Sequence, residues 1–235
     1  MLNSRNKLEK WGKKLIRSSI NNNSFVRRMA LFAGRCALEI DVLNDAEIDI
    51  PKIRGETDML LTSIEACQIF KTVKTVEKIK GDIAEVGTYR GGSAAIICRA
   101  KGDKPLHLFD TFEGIPNTDE IDGKFHKGQF AASFEDVKKY LSKYDNVYFY
   151  KGIFPTTAEP IKSRQFSFVH FDADTYGSAL DCLQFFYPRM RQGGIIIAHD
   201  YGEKGVAKAF DEFFKDKQNP IVTLVFSGQC IIVKS

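Results

Sequence analysis

The sequence predicts an α/β fold in which a mostly parallel, doubly wound sheet ends in an antiparallel hairpin. From residue 81 onward, short apolar runs alternate with amphipathic stretches. Fully apolar strands between helices are typical of a parallel sheet that is covered on both faces. The last two strand-like runs are separated only by Ser227-Gly228. Because so short a connection cannot cross over a sheet, these two strands must be antiparallel.

Seven apolar runs define the predicted mixed sheet. The five strands of its parallel part are expected at residues 82–87, 106–110, 147–152, 166–172 and 193–200. Helices are expected between and after them at residues 92–101, 134–144, 178–190 and 205–215. The hairpin strands are expected at 221–226 and 229–234, and apolar residues at helical spacing from 58 to 80 predict a helix before the first strand.

The chain is expected to consist of a basic, helical N-terminal extension, residues 1–56, and an α/β domain, residues 57–235. Residues 1–30 contain eight basic residues and one acid. Leu8, Trp11 and Leu15 fall at helical spacing among the lysines, which fits an amphipathic helix on a membrane surface or on a partner. An organellar presequence, or a solvated helix that packs on its own domain or on a dimer mate, remains an alternative.

The composition is that of an ordinary globular protein, with 43% hydrophobic and 27% charged residues. No apolar run approaches the ~20 residues of a membrane-spanning helix. The chain carries +4 overall, so the part beyond residue 30 is slightly acidic, which argues against nucleic acid as a partner. The five cysteines are widely spaced, as in reduced cytosolic proteins. We expect a cytoplasmic homo-oligomer, with peripheral contact of residues 1–30 at the membrane as an alternative location.

The stretch "EVGTYRGGS" (85–93) joins the first strand of the sheet to the next helix. Its glycines at 87, 91 and 92 let the backbone approach a ligand closely. The dinucleotide fingerprint G-x-G-x-x-G would need glycine at 89, where this chain has Tyr89, and Glu85 would repel a pyrophosphate. A carboxylate there would instead attract an ammonium or sulfonium group.

Asp110 ends the second strand, 23 residues after Gly87. An acid at about this spacing accepts hydrogen bonds from the ribose hydroxyls of a bound nucleoside. The nucleoside would lie beyond the carboxyl ends of the strands, where open α/β sheets bind their ligands.

Several stretches together resemble the macrocin-type O-methyltransferases, which are class I enzymes that methylate sugar hydroxyls. The resemblance runs from about residue 57 to the C-terminus and is carried by "GDIAEVGTYRGGSAAI", "LHLFDTFEGIP", "KGQFAASFEDV", "FDADTYGSALDCLQFFYPRMRQGGIIIAHDYG" and "GQCIIVKS". It implies a class I, Rossmann-like methyltransferase fold, S-adenosylmethionine as cofactor, and a small-molecule acceptor hydroxyl on a sugar or another natural product. The residues expected at the cofactor are Glu85, Gly87, Thr88, Tyr89, Arg90, Ser93, Asp110, Thr111, Ser133 and Gly152.

Three carboxylates end two further strands of the predicted sheet. Asp172 and Asp174 end the fourth strand, and Asp200 ends the fifth. Because adjacent parallel strands end at one edge, these side chains should meet there and repel one another unless a proton or a cation neutralises them. Mg²⁺ takes oxygen ligands, and it would lower the pKa of an acceptor hydroxyl. The resemblance implies Asp172 and Asp200 as metal ligands and Asp174 as the base.

The chain departs from the family pattern D-D-Y, because it has His199-Asp200-Tyr201 at this place. Imidazole suits Zn²⁺, Mn²⁺ or Fe²⁺ better than Mg²⁺. His199 is therefore expected either as a metal ligand or as a catalytic acid or base. Residues 111–131 form a long irregular segment that is typical of a lid or substrate loop.

Two other functions remain open from the sequence. His199 and the aspartates would also suit Fe²⁺ in a hydroxylase that depends on 2-oxoglutarate and oxygen. The basic head would alternatively suit a non-catalytic protein that binds a membrane surface or a partner.

Overall fold

The structure, a computed structural model, describes residues 47–217, 221–224 and 228–235. The chain divides into two compact units, residues 1–49 and 50–235. The predicted basic helix of the N-terminal extension lies outside the described residues, and the predicted domain boundary after residue 56 stays a prediction. The second unit contains the sheet and the candidate site. No helix in the described ranges is long and apolar enough to cross a membrane.

The second unit is built on a seven-stranded mixed sheet, as predicted. Its strands follow the order β3-β2-β1-β4-β5-β7-β6. Strands β1 to β5 pair in parallel, whereas β7 is antiparallel to both β5 and β6. The strands are β1 Asp82–Val86, β2 Leu106–Asp110, β3 Val147–Lys151, β4 Phe166–Phe171, β5 Met190–Ala198, β6 Ile221–Leu224 and β7 Cys230–Val233. Residues 225–227, between β6 and β7, lie outside the described part, so the predicted two-residue connection stays a prediction.

Six α-helices accompany the sheet in the described ranges. They are α1 Ile50–Glu56, α2 Ser63–Thr75, α3 Gly92–Ala100, α4 Phe134–Leu141, α5 Tyr176–Phe186 and α6 Lys204–Phe214, with 3₁₀ turns at Glu120–Asp122, Thr156–Ile161 and Tyr187–Arg189. The helix predicted over 58–80 forms only over Ser63–Thr75, and Thr62 caps its N-terminus. The Thr62 and Glu65 side chains accept hydrogen bonds from each other's backbone N–H groups, which forms a capping box.

The central strands of the sheet lie in the hydrophobic core and contain almost no exposed residue. Strand β4 is buried over its whole length, as expected of a strand inside a covered parallel sheet. Phe166 of β4 packs edge-on against Phe186 of α5, with ring centroids 5.1 Å apart. His107 and His170 lie in this interior and are almost fully buried, as expected of histidines within apolar strands.

Backbone hydrogen bonds extend the parallel ladders past the carboxyl ends of the central strands. The N–H groups of Gly87, Asp172 and His199 donate to carbonyls of the neighbouring strand at 2.9, 2.9 and 2.8 Å. The residues that follow β1, β4 and β5 therefore stay in register. This register brings the glycine turn and the acidic residues to one edge of the sheet.

Candidate active site

A cavity of about 410 Å³ opens at the carboxyl edge of the sheet. Its walls are the turn after β1, the ends of β2, β4 and β5, the segment 58–61 before α2, and parts of the segment 109–130. Its size and its mixed polar and apolar walls are those of a small-molecule site. The cavity lies where open α/β sheets bind ligands.

The turn after β1 depends on Gly87. Its φ is +88°, and a Cβ placed there would lie far inside contact distance of the Asp172 backbone carbonyl oxygen. Only glycine allows β1 and the residue after β4 to approach in this way. Gly91, with φ of +82°, then caps α3, whose N-terminus faces the cavity through Gly92 and Ser93.

Asp110 organises the turn from the neighbouring strand. Its Oδ2 accepts a hydrogen bond from the N–H of Tyr89 at 2.7 Å, and its Oδ1 accepts from the N–H of Phe112 at 2.6 Å. A carboxylate offers about four acceptor positions, so both oxygens retain capacity for ligand hydroxyls. Burial raises the pKa of Asp110, and the backbone donors oppose that rise. The side chain borders the cavity.

Most of the residues expected at the cofactor line this cavity. They are Gly87, Thr88, Tyr89, Ser93, Asp110, Thr111 and Gly152. The Thr88 hydroxyl is buried without a hydrogen-bond partner, so it is available to a ligand. The Thr111 hydroxyl instead donates to the Gly114 carbonyl at 2.6 Å and thereby shapes the following loop.

Three of the expected cofactor residues do not line the cavity. Glu85 is fully buried and its Oε1 lies 2.8 Å from Nδ1 of His170, on the adjacent strand β4. Its side chain is thus engaged within the sheet rather than turned toward a cationic cofactor. Arg90 forms an exposed ion pair with Asp58 at 3.2 Å. Ser133 caps α4 by accepting a hydrogen bond from the Asp136 N–H at 3.3 Å.

The catalytic and metal-ligating residues predicted from the sequence do come together. Nδ1 of His199 lies 3.4 Å from Oδ1 of Asp172 and 3.3 Å from Oδ1 of Asp200. A third carboxylate, Oε1 of Glu65 in α2, lies 3.3 Å from Nε2 on the other side of the ring. The imidazole thus sits among three carboxylates.

The charges of this cluster interact strongly. Burial opposes a charged imidazole, but Asp172, together with Asp200 and Glu65, raises the pKa of His199 above its ordinary value. Burial likewise opposes charge on Asp172, yet His199 holds the pKa of that carboxyl below its usual range. The pKa of Glu65 falls to about 2, because its interaction with His199 and its hydrogen bonds from Thr62 outweigh its burial.

The pKa of Asp174 is shifted in the opposite direction to that of Asp172. Burial and the adjacent charges of Asp172 and Asp200 raise its pKa to about 9. Asp174 and Asp200 also have positive φ values, 58° and 55°. Non-glycine residues adopt this conformation at a cost and often do so at functional sites. With this pKa, and with no cation to neutralise Asp172 and Asp200, the Asp174 carboxyl group holds a proton at neutral pH.

The residues present fit a divalent cation. One ligand atom each from Asp172, His199 and Asp200 lies within 4.8 Å of the other two. Both ring nitrogens of His199 are buried, and neither has a partner in hydrogen-bond geometry. Two carboxylate oxygens and an imidazole nitrogen form a donor set that suits Mn²⁺, Fe²⁺ or Zn²⁺ as well as Mg²⁺.

The long segment 111–131 borders the cavity, as expected of a lid or substrate loop. It is pinned by Asp122, whose Oδ2 accepts from the Asp119 N–H and whose Oδ1 accepts from the Tyr176 N–H, both at 2.7 Å. Its two ends are joined by two backbone hydrogen bonds: the Ile115 N–H donates to the Gln129 carbonyl at 2.8 Å, and the Gly128 N–H donates to the Ile115 carbonyl at 2.9 Å. The loop therefore has a defined conformation over the site.

Sequence reasoning missed two groups of residues. Glu65 carried a signal, because "TSIE" (62–65) has the capping-box pattern, but the pattern does not reveal that the second oxygen faces His199. The apolar wall of the cavity, which includes Met59, Phe130 and Phe154, had no signal of its own. Its members come from separate segments that meet only in the folded chain.

This strand order, with a glycine turn after β1, an acid at the end of β2 and acids after β4 and β5, defines the class I methyltransferase fold. The chain belongs to the macrocin-O-methyltransferase (TylF) family, whose model matches residues 59–225.

Named proteins with similar sequences or structures agree with this assignment. The chain is 31% identical, over 148 residues, to the 8-demethyl-8-(2,3-dimethoxy-α-L-rhamnosyl)-tetracenomycin-C 4′-O-methyltransferase of Streptomyces olivaceus, covering 55% of this chain and 57% of that one. The matches span between 53% and 61% of the lengths of the curated relatives.

Solved structures share the fold. The O-methyltransferase NovP superimposes with a TM-score of 0.64 at 23% identity, covering 75% of this chain and 82% of that one. The O-methyltransferase TomG from Streptomyces achromogenes, solved in complex with S-adenosylmethionine, superimposes with a TM-score of 0.56 at 14% identity, covering 85% of this chain and 96% of that one.

Proposed function

We propose that this protein transfers a methyl group from S-adenosylmethionine to a hydroxyl of a sugar or of a sugar-bearing natural product. The observation that carries the proposal is that the glycine turn and the acidic cluster open into one cavity. Gly87 and Asp172 even touch through their backbones. A methyl donor at the turn and an acceptor at the cluster would therefore be neighbours, as a transfer reaction requires.

The cofactor would lie along the carboxyl ends of β1 and β2. Asp110 would accept hydrogen bonds from its ribose hydroxyls, and the unpartnered Thr88 hydroxyl would face its polar groups. Gly152 borders the cavity beside the end of β3, where the resemblance implies the adenine. Family membership supports this cofactor, as does the structure of TomG with S-adenosylmethionine.

Asp172, His199 and Asp200 would hold a divalent cation, Mg²⁺ or an ion such as Mn²⁺ that accepts imidazole more readily. When bound, the cation would supply positive charge that lowers the pKa of an acceptor hydroxyl. The imidazole nitrogens that have no hydrogen-bond partner support this assignment.

Asp174 would act as the base. It borders the same cavity as the cluster, two residues after Asp172. The positive charge of a bound cation would lower the pKa of Asp174, so that its carboxyl group would be ionised and able to accept a proton. In the reaction Asp174 accepts the acceptor's O–H proton while the oxygen forms its bond to the methyl carbon. The C–S bond of the sulfonium breaks, and its electron pair stays on sulfur to give S-adenosylhomocysteine. The loop 111–131 would exclude water from this step.

The acceptor class is proposed from the relatives. The tetracenomycin enzyme is named for methylation at the 4′ position of a rhamnosyl compound, and the mycinamicin enzyme for a 3″ position. The cavity has a polar end at the acidic cluster and an apolar wall beside it. This combination suits a hydroxylated sugar attached to an apolar body.

The test combines calorimetry with turnover. Wild-type protein should bind S-adenosylmethionine and S-adenosylhomocysteine, and Asp110→Ala should weaken both by at least about tenfold. Asp174→Asn should bind the cofactor like wild type but lose about 10²-fold or more in methyl transfer to a panel of rhamnosides with Mn²⁺ or Mg²⁺. Asp103→Asn, on an exposed turn, is the control for charge loss. Absence of cofactor binding by the wild type would overturn the proposal.

Cytoplasmic localisation, peripheral membrane contact through residues 1–30 and homo-oligomer formation complete the proposal. They derive from the sequence alone. Comparing lipid sedimentation and molar mass in solution for the full chain and for a chain lacking residues 1–30 would test the last two.

A further inference from the structure

Glu65 is the buried acid nearest to the candidate metal site that the proposed mechanism does not use. It lies in the first turn of α2, and its side chain is only 7% exposed. Its two carboxylate oxygens have separate partners. Oε2 accepts hydrogen bonds from the backbone N–H and from the hydroxyl of Thr62, both at 2.8 Å.

The second oxygen of Glu65 faces the imidazole of His199. Oε1 lies 3.3 Å from Nε2, whereas Nδ1, on the other side of the ring, faces Asp172 and Asp200 at 3.4 and 3.3 Å. The contact to Oε1 is longer than an aligned N–H···O bond. Site hydrogen bonds are often long before the ligand binds and tighten when it does.

We infer that Glu65 is a positioning residue that fixes the orientation and the tautomer of His199. With the proton on Nε2 and directed at Glu65, Nδ1 presents its lone pair to the cation that Asp172 and Asp200 would share. Histidines that ligate metals commonly donate their other N–H to a carboxylate in this manner. This inference rests on the metal site of the proposed function.

The capping box explains why Glu65 can hold the ring. Because Thr62 engages Oε2 twice, the carboxylate cannot rotate freely. The N-terminus of α2 therefore sets the position of Oε1, and through it the imidazole plane. A residue fixed by its own helix cap is a rigid support for a ligand on a loop.

Glu65→Gln is the sharpest test, because glutamine also completes a capping box. Its carbonyl oxygen would replace Oε2 at Thr62, and its NH₂ group would then face Nε2 of His199. An amide donor at Nε2 requires the lone pair there and moves the proton to Nδ1, the nitrogen that should bind the cation. The fold would be kept while the tautomer is reversed.

The readout is Mn²⁺ binding to the full-length protein, measured by electron paramagnetic resonance of free Mn²⁺ and by calorimetry without acceptor. We expect Glu65→Gln to weaken Mn²⁺ binding by about 10- to 100-fold. The variant should still unfold in one cooperative thermal transition, although at a lower temperature than wild type because a buried charge pair is lost. Its affinity for S-adenosylhomocysteine should stay at the wild-type value. Glu56→Gln makes the same chemical change at a carboxylate that pairs with Lys143 outside the cavity, and it should not affect Mn²⁺ binding.

A double-mutant cycle with His199→Asp separates positioning from a general effect of charge. Aspartate at 199 has no second ring nitrogen for Glu65 to hold, so Glu65→Gln should cause no loss of Mn²⁺ affinity in that background. An equal loss in both backgrounds, or wild-type affinity in Glu65→Gln, would overturn the inference while the metal site stands. If wild-type protein binds no Mn²⁺, the metal site itself fails, and the inference fails with it.

Discussion

Gly87 lies directly against the backbone carbonyl of Asp172, so that the cofactor turn and the first residue after β4 share one contact. The contact is possible because Gly87 has a φ of +88° and no side chain. The N–H of Asp172 also donates to the carbonyl of Val86 at 2.9 Å. The geometry of the turn and that of the acidic cluster therefore depend on each other.

Gly87→Ala should disturb both halves of the site. The added methyl group meets a backbone atom that cannot move aside, and the residue must also keep a positive φ. We expect a loss of about 3 kcal/mol or more in the free energy of unfolding, measured with urea, together with loss of S-adenosylhomocysteine binding.

Gly102→Ala is the matched control for this substitution. Gly102 has a φ of +58°, but its Cβ would meet nothing within 4 Å. It should therefore cost only the conformational strain of about 1–2 kcal/mol and leave cofactor binding intact. Equal losses in the two variants would show that the close contact with Asp172 is unimportant.

Asp122 should control the loop over the acceptor. It is only 5% exposed and accepts backbone hydrogen bonds from Asp119 and from Tyr176, at the start of α5. Asp122→Ala leaves both N–H groups without this acceptor, which should cost about 2 kcal/mol of unfolding free energy. Because the loop borders the cavity, the KM for the acceptor should rise more than the Kd for S-adenosylmethionine.

The exposed neighbour Glu120 serves as the control for the loop. Glu120→Ala should change neither stability nor KM appreciably. An Asp122→Ala variant with wild-type KM but lowered stability would mean that the loop conformation does not matter for acceptor binding.

His107 should make stability depend on pH. Its Nε2 lies 3.1 Å from Oδ2 of Asp82 and its Nδ1 lies 3.0 Å from the hydroxyl of Tyr150. Burial lowers the pKa of His107, and the hydrogen bond and charge of Asp82 only partly oppose this. As the pH falls below the ordinary value of about 6.5, the unfolded chain therefore takes up the proton first. The free energy of unfolding should decrease over that interval.

The measurement compares unfolding free energies of wild type and His107→Asn between about pH 5 and pH 8. The variant loses two hydrogen bonds at every pH, but it should lack the part of the acid-side decline that His107 causes. His126→Asn, at an exposed loop position, should keep the wild-type pH dependence. A difference between wild type and His107→Asn that does not change with pH would contradict this prediction.

The seven-stranded architecture was predictable because its signal is local. Each strand is a short apolar run and each helix an amphipathic one, and the C-terminal hairpin follows from its short connection. Element bounds were less predictable. Apolar residues recur at helical spacing from 58 to 80, but the helix forms only over Ser63–Thr75. Its start is set by the Thr62 cap.

The part of the site that could be predicted is the set of acidic residues at the ends of the strands. Asp110 ends β2, and Asp172, Asp174 and Asp200 come just after β4 and β5. Parallel strands bring their carboxyl ends to one edge of the sheet, where these four residues border the cavity. Glu85 shows where such reasoning stops. Side chains along a strand alternate between the two faces, and Glu85 faces the interior partner His170 instead of the cavity.

The sequence by itself determined the order of strands and helices, the glycine that the turn needs and the acids that end the strands. These features depend on residues that are neighbours in the chain, because the pattern of apolar residues in a short stretch indicates whether it forms a strand or a helix. Only the tertiary structure decided that Glu65 of α2 contacts His199 and which residues of 111–131 border the cavity. Such contacts join segments far apart in the chain, and they depend on how helices pack against the sheet, which no local pattern specifies.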